Sequence, residues 1–111
     1  MTRPTQRTCK HIINGKPIET SERFFDHLNP NTAQLLTKVP LASPELVNQA
    51  VQAALTAFDE WADTPIVKRA QIFYRYKTLF EENFEVLAQL LSTEHGKNVN
   101  EAKGSLRRGL E

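Results

Sequence analysis

The strongest constraint on the fold is a change of period at Ser43. Before it, apolar residues come in short runs between turn residues; after it, they recur at helical spacing. Leu46, Val47, Ala50, Val51, Ala54, Leu55 and Phe58 lead toward Trp61. Ser43 supplies a cap, Pro44 a first helical position and Glu45 a carboxylate for the positive end of the helix dipole. Thr64-Pro65 repeats this start, and Ala70, Ile72, Phe73, Tyr76, Leu79 and Phe80 mark the next apolar face. Phe84, Leu87, Ala88 and Leu91 resume the pattern after a break or kink near Asn83, and Gly96 stops it. Asn98-x-x-Glu101 has the spacing of a capping box. The helix it opens contains Gly104 and Gly109 and reaches Glu111 without a terminating signal.

The first third carries strand signals. Asn14-Gly15 between His11-Ile12-Ile13 and Lys16-Pro17-Ile18-Glu19 predicts a small hairpin, with Pro17 at an edge because it has no amide to donate. Asn29-Pro30-Asn31-Thr32 is a turn, and Leu35 to Pro40 reads as a third strand. The expected organisation is a flexible leader over 1–10, a hairpin and strand over 11–40, and three to four helices over 43–111. Three strands are too few to close a sheet and the last helix has no cap, so the chain reads as the first part of something larger.

Length alone permits a complete domain, since 111 residues can bury about 65% of the surface of their unfolded chain. A net charge of +1 from 14 basic and 13 acidic residues argues against nucleic acid as a partner. No apolar run exceeds three residues, which argues against a membrane span or a secretion signal and gives a cytoplasmic expectation. The single cysteine fits a reducing compartment.

Few residues suggest chemistry. Cys9 lies in a polar leader without the base or cation that would sustain a thiolate, and reads as an ordinary surface thiol. His11, His27 and His95 lack the spacing of metal ligands, so no metal site is expected. His95 and Lys97 read as cations at the end of a helix, because the first glycine of a phosphate loop is missing ahead of Gly96-Lys97. Glu81, Glu82 and Glu85 read as a solvated face. Lys103, Arg107 and Arg108 are either a basic stretch that suits the helix dipole or a group that captures a carboxylate or phosphate. The glycines flanking the arginines favour the second reading slightly, since they permit close approach.

From His11 onward the ordered segments resemble the start of the aldehyde dehydrogenase superfamily. They are Ile13-Asn14-Gly15-Lys16, Asn29-Pro30-Asn31-Thr32, Val39-Pro40-Leu41-Ala42, the Val47 to Phe58 helix, Trp61, Arg69 and Glu94-His95-Gly96-Lys97. Lys103-Gly104-x-x-x-Arg108-Gly109-Leu110-Glu111 and the stretch from Thr64-Pro65 to Arg69 are similar to the coenzyme-A-acylating methylmalonate-semialdehyde dehydrogenases within it. Asn29-Pro30-Asn31-Thr32-Ala33-Gln34 departs from the commoner Asn-Pro-Ala-Thr-Gly-Glu while keeping its turn chemistry.

The resemblance implies an α/β, Rossmann-like parent fold and a homo-oligomeric enzyme that oxidises a small semialdehyde with NAD and passes the acyl group to coenzyme A. It implies that the nucleophile, the general base and the main NAD contacts lie outside these residues. No catalytic residue and no cofactor site is therefore expected in this chain alone. It also implies that Arg108 holds the substrate carboxylate. The competing expectation is a non-enzymatic helical module, or a truncated product that binds a full-length dehydrogenase.

Overall fold

A computed structural model describes residues 7–19 and 23–111. Nine elements follow in order: β1 (Arg7–Thr8), β2 (His11–Ile13), β3 (Lys16–Ile18), β4 (Phe24–Leu28), β5 (Leu35–Pro40), α1 (Pro44–Asp63), α2 (Ile66–Glu82), α3 (Phe84–His95) and α4 (Val99–Leu110). They divide into two compact units. One holds the strands and α1; the other holds the 29–34 loop and α2 to α4.

In the first unit, β2 and β3 pair antiparallel with Ile13 opposite Lys16. Asn14 and Gly15 connect them at φ values of 53° and 71°, the positive pair that a two-residue hairpin turn of matching twist requires. Lys10 Nζ and Glu19 Oε1, 2.6 Å apart, close the open end of this hairpin. The second sheet has the order β1-β5-β4. β5 is its centre, parallel to β1 and antiparallel to β4, with an irregularity where Leu28 faces Leu35. Arg7 and Thr8, inside the stretch expected as a leader, thus form a strand, extended by the Cys9 amide donating to the Lys38 carbonyl at 2.9 Å. Residues 1–6 of that stretch lie outside the described residues.

α1 starts as its sequence dictates. The Leu46 amide donates to Ser43 Oγ at 3.2 Å, so one otherwise orphaned amide of the first turn is satisfied. Its small residues Ala50, Ala53, Ala54 and Ala57 face Ile12, Ile13 and Asn14 across a shallow cleft. Its larger ones, Val47, Val51, Leu55 and Phe58, are exposed. Leu46 and Pro40 are the buried residues described in this unit.

In the second unit, α2 begins at Ile66 with Pro65 in the capping position, one residue later than the Thr64-Pro65 pattern predicts. Asn83, at φ −105° and ψ 11°, breaks the run between α2 and α3. Its amide reaches back to the Leu79 and Phe80 carbonyls, and its side chain donates to Leu79 at 2.7 Å. Gly96 ends α3 in the left-handed region, φ 73°. Asn98 opens α4 by accepting from the Glu101 amide at 2.9 Å, the first half of the capping box. α3 and α4 pack closely because the residues between them are small: Ala88 and Ala102 are fully buried. The 29–34 loop is an Asx turn, with Asn29 Oδ1 accepting from Asn31 and the Asn29 carbonyl accepting from Ala33. Pro30 of this loop sits against Gly96.

Candidate functional site

α4 separates the three cations that sequence alone leaves together. Lys103 and Arg107 are one helical turn apart and both reach α3. Lys103 Nζ lies 2.7 Å from Glu85 Oε1, and the Arg107 guanidinium covers the Phe84 ring at 5.7 Å. Arg107, Phe84 and Glu85, with Glu81 and Leu110, line an open cleft beside the α3–α4 seam. The work of Lys103 and Arg107 is structural, on the order of 1 kcal/mol or less for each exposed contact.

Arg108, the next residue around the helix, does not join that seam. Its Nη2 donates to Ser105 Oγ at 3.2 Å, and the residue is exposed. Lys97 reaches the same hydroxyl from the α3–α4 connection, Nζ to Oγ at 3.1 Å. The backbone that launches it is fixed on both sides, by left-handed Gly96 and by the Asn98 cap, and Ser92 Oγ donates to the Lys97 carbonyl at 2.7 Å. Lys97 therefore engages α4 and does not act as the terminal cation of α3 that its sequence position suggests.

Neither Lys97 nor Arg108 has a carboxylate partner among the described residues. Arg108 is thus presented as a cation with a neutral anchor, which is what capture of an anionic ligand requires. Sequence reasoning read Lys97 only as a helix-end cation and missed Ser105. The available signal was the three-residue spacing of Ser105 and Arg108, which puts both on one face of α4.

The remaining candidates form no second site. Cys9 is exposed, and no group of three His, Cys, Asp or Glu among the described residues is arranged to hold a metal ion. Glu81 faces Lys77 at 3.8 Å and Glu85 faces Lys103, so neither is a desolvated acid. Gly104 and Gly109 border open space, so within this chain neither serves a close backbone approach. β5 passes to α1 through Leu41-Ala42-Ser43, so this described strand-to-helix connection carries no glycine-rich turn. No described helix is long and apolar enough to cross a membrane.

Residues 18–111 match the family described as "Aldehyde dehydrogenase family". The chain is 43% identical over 104 residues to the malonate-semialdehyde dehydrogenase of Pseudomonas aeruginosa, which spans 94% of this chain and 21% of the relative. Among solved structures it is similar to the methylmalonate-semialdehyde dehydrogenase of Oceanimonas doudoroffii, with a TM-score of 0.90 and 37% identity over 95% of this chain and 22% of that one. A Sinorhizobium meliloti protein assigned the same activity and solved with NAD gives a TM-score of 0.90 at 37% identity, covering 97% of this chain and 22% of that one. The chain therefore spans about a fifth of the length of the relatives it matches.

Proposed function

The chain belongs to the aldehyde dehydrogenase family, and from that premise we propose that it is the N-terminal portion of an NAD-dependent, coenzyme-A-acylating methylmalonate- or malonate-semialdehyde dehydrogenase. The full-length enzyme would convert the semialdehyde, coenzyme A and NAD into acyl-coenzyme A, carbon dioxide and NADH. In this reading residues 11–111 supply the first part of the dehydrogenase domain, strands over 11–40 and helices over 43–111. The nucleophile, the nucleotide contacts and the coenzyme A contacts belong to the remainder of a cytoplasmic homo-oligomer that uses neither nucleic acid nor membrane.

The observation that carries this reading is the 43% identity to a malonate-semialdehyde dehydrogenase over 94% of the chain. The exposed faces of the helices support it. Val51, Leu55 and Phe58 on α1, and Phe73, Tyr76 and Leu79 on α2, are large apolar groups left in water. A full-length domain would cover them, and a self-contained module would not.

The role we assign to residues of this chain is binding. A semialdehyde of this class carries a carboxylate three atoms from its reacting carbon or nearer, and that charge needs a partner when water is excluded. Arg108 is the residue offered for it, as a planar donor fork on an exposed face of α4.

The test is a chimera in which this chain replaces the matching fifth of the Pseudomonas aeruginosa enzyme. It should form NADH from malonate semialdehyde, NAD and coenzyme A, whereas the 111-residue chain alone should form none. In the chimera, Arg108→Leu should lower kcat/KM for the carboxylated substrate by about 100-fold and for propanal by less than about five-fold. NADH production by the isolated chain would overturn the fragment reading, and equal losses on both substrates would overturn the carboxylate role of Arg108.

A further inference from the structure

Two cations on α4 and its approach share one neutral acceptor. Lys97 Nζ and Arg108 Nη2 both donate to Ser105 Oγ, at 3.1 and 3.2 Å. The two donor nitrogens are consequently at most about 6.3 Å apart, near enough for their charges to repel, with no carboxylate ion pair to either among the described residues. Acidic partners are used close by, as Lys103 with Glu85 shows, so the neutral anchor is a property of this spot.

The hydroxyl also has a proton to spare. A serine oxygen has two lone pairs and one O–H. Lys97 and Arg108 occupy the lone pairs, leaving the proton to donate. Thr56, Thr78 and Thr93 each return their hydroxyl proton to the carbonyl four residues back, at 3.0, 3.1 and 2.9 Å. Ser105 makes no such bond to its own helix among the described residues.

We propose that Lys97, Ser105 and Arg108 form one carboxylate cradle, in which a bound carboxylate accepts from the Lys97 ammonium, the Ser105 hydroxyl and the Arg108 guanidinium together. This rests on the reading of Arg108 given above and adds two residues to it. The ammonium supplies a second charge, and the serine holds both cations in place before the ligand arrives. The fixed backbone at Gly96 and Asn98 makes the ammonium's position a built feature of the α3–α4 connection.

The test uses the 111-residue chain labelled with ¹⁵N, titrated with malonate at constant ionic strength, with malonamide as the uncharged control. Amide shifts should concentrate on Lys97, Ser105 and Arg108 and be absent with malonamide. Lys97→Met and Ser105→Ala should each raise the Kd for malonate about five-fold, the scale of one partly exposed charged contact, and Lys97→Arg should restore it. Helical ellipticity is measured on every variant, and Lys97→Gln replaces Lys97→Met if the latter loses helix. If Arg108→Leu abolishes binding while the Lys97 and Ser105 variants bind as before, the cradle is refuted and Arg108 acts alone, with the proposed function intact. If malonate shifts no residue of the three more than chloride does, the cradle is refuted; the chimera then decides the function separately.

Discussion

Replacing Gly96 by alanine tests whether the end of α3 is set by backbone conformation alone or also by the loop packed on it. The φ of 73° places any L side chain in the left-handed region, at a cost of about 1–2 kcal/mol. A Cβ at this position would also stand 2.7 Å from Pro30 Cγ and 3.4 Å from Pro30 Cβ, so the 29–34 loop must shift. Overpacking of that kind costs about 1–3 kcal/mol, giving about 2–5 kcal/mol for Gly96→Ala in all. Gly15→Ala isolates the first contribution, because Gly15 has a φ of 71° but no atom within 4 Å of the added Cβ. Amide exchange of Gly96 and Ala102, together with urea titration of helical ellipticity, reads the local and the wider loss. A double-mutant cycle with Pro30→Ala should recover about 1–2 kcal/mol of coupling. Additive effects in that cycle, or equal losses at positions 15 and 96, would refute the packing argument.

Other expectations follow from single residues. Ala33 occupies the left-handed region at φ 57°, so Ala33→Gly should raise the urea midpoint by an amount worth about 1 kcal/mol. Gly104→Ala should stabilise α4 by a similar amount in the same assay, since the added methyl meets open space. Asn98→Ala removes the acceptor of the Glu101 amide and should cost about 1 kcal/mol. The Lys10 ammonium, by hydrogen bond and by charge, holds the Glu19 carboxyl below its ordinary value of 4.5. The hairpin is therefore supported above that value and loses the support as pH falls through the lowered one; NMR titration should show Glu19 returning upward in Lys10→Met.

The helices were legible because each punctuating residue acts locally. Ser43, Asn83, Gly96 and Asn98 do their work within a few residues of themselves, so spacing alone reveals them. β4 was not legible, because Phe24-Phe25-Asp26-His27-Leu28 has no alternation, and its strand character comes from pairing with β5 across the 29–34 loop. β1 escaped for the same reason, as two residues defined by a partner some thirty positions later. Ala33 is instructive between these cases. Its departure from the commoner motif, which has glycine there, read as harmless in sequence, yet it falls on the one position of the loop with a positive φ.

The same distinction between local and distant causes governs the site. Spacing could show that Lys103, Arg107 and Arg108 share a helix, but their division into seam and free cation depends on Phe84 and Glu85, which belong to α3. The partner of Arg108 is nearer, one helical turn back, and still went unread because serine carries no charge to attract notice. Its significance comes from Lys97, which the turn at Gly96 and Asn98 delivers to the same oxygen. A carboxylate at Ser105 would pair with the two cations, cancel one of their two charges and weaken the attraction for an anionic ligand. On this argument Ser105→Glu, which closes the cradle with an internal counter-ion, should weaken malonate binding more than Ser105→Ala does, while leaving α4 as helical as before; stronger binding to the glutamate variant would show that the ligand is not held by charge.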